Sequence, residues 1–97
     1  MLEQRNHFEH WHLRLRTVLK GNDYSFVKEL LNIASEKITI SANEIFNLAQ
    51  KYELQNTYKS LINSLVYDGY INNDDDEHVY RYNSPILRMW WRKNVAN

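Results

Sequence analysis

Apolar residues recur at helical spacing along most of the chain. Phe8, Trp11, Leu15 and Val18 follow one another at intervals of three, four and three, which lays them on one stripe of a helix over residues 3–20. Arg5, Glu9, Arg16 and Lys20 fall on the other face. Gly21-Asn22 supplies the stop, because both residues tolerate the left-handed conformation that ends helices. A second helix is expected over 24–35, capped by Asn22 or Asp23, with Val27, Leu30, Leu31 and Ala34 inward. Ile38-Thr39-Ile40 is β-branched and alternating, which suits a very short strand. Ser41-Ala42-Asn43-Glu44 is a capping box: the Ser41 hydroxyl accepts from the Glu44 amide while the Glu44 carboxylate reaches back to the Ser41 amide. It opens a third helix with Ile45, Leu48, Ala49 and Tyr52 inward.

A turn over 51–54 leads to a fourth helix over 56–68, with Tyr58, Leu61, Ile62 and Leu65 inward and Gly69 just past its end. Residues 70–72 and 78–82 are expected to pair as a β-hairpin around a polar loop, Asn73 to Glu77. Ser84-Pro85 reads as an N-cap followed by proline at the first helical position. The last helix carries Ile86, Leu87, Trp90 and Trp91, with Arg88, Arg92 and Lys93 around them. From 23 to 82 the order is helix, strand, helix, turn, helix, hairpin. The expected fold is therefore mainly α with a small sheet: a winged helix-turn-helix with extra N- and C-terminal helices. Its parts are a linking helix at 1–22, the winged helix at 23–83 and a packed C-terminal helix at 84–97, together one compact domain. An irregular helical bundle and a helical domain with an incidental hairpin are the rival folds.

The tail, Tyr80-Arg81-Tyr82-Asn83-Ser84-Pro85-Ile86-Leu87-Arg88-Met89-Trp90-Trp91-Arg92, resembles the closing segment of archaeal- and bacterial-type P-loop ATPases of the AAA/STAND kind. The shared pattern is an aromatic-x-aromatic strand, Ser/Asp-Pro, two aliphatic residues, Arg, then one or two Trp or Phe. Tyr80, Tyr82, Ser84, Pro85, Ile86, Leu87, Arg88, Trp90 and Trp91 fill it. The resemblance spans 23–92 in element order, but only the tail is motif-specific. It implies a non-catalytic domain at the end of a larger ATPase, a regulatory or docking module whose partner is that ATPase domain or another protein. No residue of this chain inherits a catalytic role from it.

Composition agrees with a non-catalytic domain. Only Gly21 and Gly69 occur, so neither a phosphate-cradling loop nor a dinucleotide fingerprint can be assembled, and no cofactor is expected in this chain. The absence of cysteine removes thiolate zinc sites, disulfides and a Cys nucleophile. No run of about 18 apolar residues is present to span a bilayer, and Met1-Leu2-Glu3-Gln4-Arg5 lacks the apolar core of a signal peptide, so the expected setting is cytoplasmic. His7 and His10 share a helix face, but His12 is rotated by about 200° from His10, which argues against one metal on all three.

Twelve Lys and Arg balance twelve Asp and Glu, and the balance is uneven along the chain. Residues 1–20 hold four basic and two acidic side chains, 70–83 hold four acids and one Arg, and 84–97 hold three basic residues and no acid. A DNA-binding winged helix inserts its second motif helix into the major groove and sets its wing on phosphates. Asn56, Thr57, Lys59, Ser60 and Asn63 are the residues that could read base edges here, with Ser64 and Tyr67 beside them. Lys59, helped by Lys51, neutralises two phosphates, for a salt slope of only about −1.8. Asp74, Asp75, Asp76 and Glu77 sit where the backbone would pass, which disfavours nucleic acid as a partner. The cations of the terminal helices are expected to gather on one basic face, and Trp11, Arg88, Trp90, Trp91 and Arg92 are the candidates for docking a protein.

Overall fold

The helix at Asn22–Lys37 (α2) is the axis on which the other elements pack. Phe26, Val27, Leu30, Leu31 and Ala34 on it are all fully buried. The computed structural model describes the backbone of residues 2–96 and the side chains of residues 8–96; the side chains of Arg5 and His7, named above, lie outside that set. In chain order the elements are α1 (Leu2–Val18), α2, β1 (Thr39–Ser41), α3 (Ala42–Lys51), α4 (Tyr58–Tyr67), β2 (Ile71–Asp76), β3 (Val79–Tyr82) and α5 (Pro85–Asn94). The strands form an antiparallel sheet in the order β1-β3-β2. This is a mainly helical fold with a small sheet, in the element order of a winged helix.

Local signals decide several element ends. The capping box forms as expected: Ser41 Oγ accepts from Glu44 N at 3.1 Å, and Glu44 Oε1 accepts from Ser41 N at 3.1 Å. Lys37 pairs with the same Glu44 carboxylate. That ion pair and the capping bond hold the carboxyl below its ordinary range. Ser84 Oγ accepts from Leu87 N at 3.1 Å, with Pro85 opening α5. Gly69 ends α4 at a φ of 90°, donating to Val66 O while Tyr70 donates to Leu65 O. Two crossed bonds of this kind at a left-handed residue form the common C-terminal stop.

Other ends differ from expectation. Neither Asn22 nor Asp23 caps α2; Gly21 takes that position without a side-chain bond, and Asn22 Nδ2 instead donates to Tyr52 O at the end of α3. Ile38 turns left-handed, at a φ of 75°, to end α2, so the strand begins at Thr39. Glu53 does the same at 62° after α3, donating to Gln50 O while Leu54 donates to Ala49 O. That stop is the one at Gly69 built on a non-glycine residue. The main chain then turns through Leu54, whose carbonyl accepts from both Thr57 and Tyr58. As a result α4 starts at Tyr58, and Asn56 and Thr57 precede it. The hairpin is longer than predicted: β2 continues through Asp76, and the turn is only Glu77-His78. Asn72 pairs with Arg81 and Asp76 with Val79, so Asn73, Asp74 and Asp75 bulge opposite Tyr80 alone. Side-chain bonds replace the missing ladder, with Asn72 Oδ1 accepting from Asp74 N and Asp76 Oδ1 from His78 N.

The core is stapled to α2 by polar atoms at its rim. Tyr82 Oη donates to Leu31 O at 2.8 Å, Trp91 Nε1 to Asn32 Oδ1 at 2.8 Å and Arg88 Nη1 to Ser35 O at 3.0 Å. Burial pushes the Tyr82 hydroxyl far above its ordinary pKa, so it stays a donor. α1 lies against α5 and the sheet through rings: Phe8 on Trp90 at 6.0 Å, Trp11 on Tyr70 at 5.0 Å and His12 on Trp91 at 5.1 Å. One expected core position points outward: Val18 is 66% exposed at the edge of the groove between α1 and α4, while Leu15 and Leu19 pack on the core. Ile86 is 53% exposed because the inward arc of α5 is centred on Leu87 and Trp91.

Candidate docking surfaces

α4 and the β2–β3 hairpin form the first surface. Lys59, Ser60 and Asn63 are exposed on α4, and Tyr67 stands 90% exposed on the same side. Helical geometry puts Ser60, Asn63 and Tyr67 on one outward ridge, with Lys59 turned from it toward the sheet. Asn56 and Thr57 are exposed in the preceding turn, off the helix they were assigned to. The Ser60 hydroxyl already donates to Thr57 O at 3.0 Å, which leaves its oxygen lone pairs for any reader role. Beside the ridge, Ala42, Ile45, Tyr58, Ile62 and Tyr80 line a groove of about 230 Å³, with Lys59 and Asn63 at its edge.

Charge on this surface is almost all negative. Asp74, Asp75, Asp76 and Glu77 are exposed. Arg81, the hairpin's own cation, is paired with Asp75. Lys51 is drawn away to Glu29 at 3.1 Å, where Tyr52 also donates to the carboxylate. That bond pushes the Tyr52 hydroxyl up to about 12 and holds Glu29 below its ordinary range. Among the described residues Lys59 has no carboxylate partner, so it is the free cation that α4 offers to a phosphate.

The outer side of α5 forms the second surface. Arg92 and Lys93 are exposed, while Arg88 is half-buried and aimed by its bond to Ser35 O. Beside them stand Met89, 61% exposed, and Ile86, 53% exposed, which lies nearer the start of the helix. At 100° per residue these two lie about 60° apart on the helix, away from Leu87 and Trp91. Arg88, Met89, Arg92 and Lys93 frame an open concavity of about 420 Å³. Arg88 also borders a second hollow of about 340 Å³, shared with Ile38, Arg81 and Asn83. Arg14 and Arg16 of α1 and Lys20 just after it are exposed too, and Arg14 faces the groove between α1 and α4.

The three tryptophans named as docking candidates lie inward. Trp91 is fully buried, so no partner reaches its ring without opening the domain. Trp11 and Trp90 are half-buried, Trp11 in contact with Phe8 and Tyr70 and Trp90 with Phe8 and His12. Among the described residues Trp90 Nε1 is buried with no acceptor. Of the five candidates, Arg88 and Arg92 remain at the α5 surface. Ile86 and Met89 were missed there, although their place on the helical wheel opposite Trp91 was a usable signal.

His12 joins α1 to this part of the core, with Nε2 3.0 Å from Tyr24 Oη and its ring near Trp90 and Trp91. Burial, with Arg16 and Lys28 nearby, lowers its pKa and favours the neutral ring. His10 points to solvent. Among the described residues no helix is long and apolar enough to cross a membrane. Compared with known protein families, curated proteins and solved structures, the chain matches none.

Proposed function

We propose that this chain is a non-catalytic docking module, the C-terminal winged helix of a larger P-loop ATPase, whose work is to contact protein rather than DNA. The observation that carries the docking reading is the distribution of charge over the fold. The elements a winged helix presses on a duplex hold four exposed carboxylates, and their cations are Lys59 and the already paired Arg81. Phosphate neutralisation supplies most of the affinity of such a contact, and here there is little to supply it. Meanwhile the cations of α5 stand beside exposed apolar side chains, a mixture that suits a protein partner.

The ATPase parent rests on the tail motif from Tyr80 to Trp91. In that setting the domain would bias its parent by making different contacts in different nucleotide states, as any linked domain can. DNA binding through α4 is the second reading, favoured by the shared exposure of Lys59, Ser60, Asn63 and Tyr67. One titration separates the two. Labelled duplex DNA is mixed with the domain at about 50 mM and about 200 mM salt. The docking reading expects no saturable micromolar binding. Binding that weakens steeply with salt and disappears in Lys59→Ala would replace it with the second reading.

A further inference from the structure

We infer that the outward face of α5 is the docking surface, and that its occupant is an acidic amphipathic segment of a partner protein: aliphatic side chains at helical spacing flanked by Asp and Glu. This rests on the docking reading above and names the partner's chemistry. Ile86 and Met89 are aliphatic, more than half exposed and adjacent on one arc of α5. Arg92 and Lys93 border that arc, and Arg88 is fixed at its flank by Ser35 O. Residues 84–97 contain no carboxylate, and among the described residues neither Arg92 nor Lys93 is ion-paired.

Cations in a last helical turn complement the helix dipole, which accounts for the sign of Arg92 and Lys93. It does not account for the two aliphatic side chains exposed beside them. An exposed apolar pair with cations along one side and toward the helix end is complementary to an apolar stripe flanked by anions, and such complementarity sets both orientation and partner choice. The open concavity framed by Arg88, Met89, Arg92 and Lys93 sets three cations beside the exposed Met89, where acidic side chains of the partner can reach them.

Two other occupants fit less well. A helix that beds into a lipid surface uses a broad apolar face rich in Trp, Phe or Leu. On α5, Leu87 and Trp91 are spent on the core and Trp90 packs on α1, leaving Ile86 and Met89. A nucleic-acid backbone would satisfy the cations but press phosphates on those two aliphatic side chains.

The test uses the whole chain and a fluorescein-labelled helical peptide with Leu at positions i, i+3, i+4 and i+7 and Asp or Glu elsewhere. Anisotropy is read beside two controls: the same composition scrambled, and the same Leu pattern with Lys in place of the acids. The acidic amphipathic peptide is expected to bind at micromolar concentration, and both controls at least about tenfold more weakly. Reversing Arg92→Glu together with Lys93→Glu removes two favourable pairs and adds repulsion, for a loss of about tenfold. Met89→Asp is expected to cost as much by removing the exposed apolar contact and setting a carboxylate against the partner's acids. Each altered side chain is exposed, so melting should shift by less than about 4 °C, and that is checked first.

Equal binding of the scrambled peptide overturns the inference, as does binding indifferent to both variants. So does capture of phosphatidylserine-containing vesicles that depends on Met89 and Arg92, which would make the occupant a membrane. Failure here alongside a silent duplex titration removes only the α5 assignment. Duplex binding lost in Lys59→Ala removes the docking reading itself.

Discussion

At the hairpin, Asp74, Asp75, Asp76 and Glu77 project from a bulged strand held by short-range polar bonds. On α5, Arg88, Arg92 and Lys93 project from a helix whose other side holds Leu87 and Trp91, both fully buried. One region is anionic and locally braced; the other is cationic, carries exposed aliphatic side chains and is anchored in the core. With Arg81 counted, the hairpin's net −3 offsets the +3 of α5, and the remaining eight basic and eight acidic residues of the chain balance each other. The comparison teaches that a winged-helix element order does not itself specify a DNA-binding module, because recognition depends on where the fold puts the charges.

The largest expected effect breaks the α5 side of that comparison. Trp91→Ala removes a fully buried ring and the bond to Asn32, at a cost of about 3–5 kcal/mol. That is a large part of the about 5–15 kcal/mol that stabilises an ordinary domain, and denaturant unfolding should show it. By contrast, Trp90→Phe gives up an indole N–H that has no acceptor among the described residues and should cost far less. Unfolding of both variants under one set of conditions gives the contrast. Similar large losses would mean that Trp90 is as deeply committed to the core as its neighbour.

A smaller loss tests the other side. Ser41→Ala deletes the cap of α3 at the residue that also pairs with Val79, so it loosens the root of the hairpin. The expected cost is about 1 kcal/mol, read from the denaturation midpoint. Slower exchange of the β3 amides in this variant would contradict that link.

Acidity should also separate the two regions. His12, packed near both α5 tryptophans, has a folded pKa below its ordinary 6.5. The folded state therefore prefers the neutral ring. Its contribution is fully present above about pH 6.5 and is lost as pH falls through the lower folded value. Melting temperature should decline over that window, and His12→Phe should flatten the decline. Glu29 and Glu44, both lowered from 4.5, act in the same direction at more acidic pH and remain in the variant.

The smallest effect on stability erases the charge difference. Neutralising the hairpin with Asp74→Asn, Asp75→Asn, Asp76→Asn and Glu77→Gln alters exposed side chains, so unfolding free energy should move by about 0.5 kcal/mol or less. Duplex DNA should then be retained better at low salt than by the unaltered domain. Unchanged retention would mean that the carboxylates are not what keeps DNA away.

What could be read in the sequence was mostly what is decided within one turn of chain. The Ser41–Glu44 box, the Ser84-Pro85 start and the Gly69 stop each involve neighbours only, and each forms as expected. Ile38 and Glu53 could not be read in this way. They adopt left-handed backbone without glycine, where the chain leaves α2 for the sheet and α3 for α4. Packing of distant segments sets those turns against local preference. The surface was harder still. The sequence marks Trp90 and Trp91 as docking candidates and does not single out Met89, because the burial of α5 is decided by α1 and α2, far away in sequence. Trp90 and Trp91 turned inward for the same reason, and Ile86 and Met89 were left outside.

The claim that this domain presents α5 to a protein, and does not present α4 to DNA, is tested most directly by backbone amide shifts of the ¹⁵N-labelled chain. Duplex DNA and the acidic amphipathic peptide are added in separate titrations. The account predicts peptide-dependent shifts along α5, centred on Met89 and Lys93, and no saturable shifts with duplex at Lys59, Ser60 or Asn63. Saturable duplex shifts on α4, with a silent α5 in the peptide titration, would contradict it.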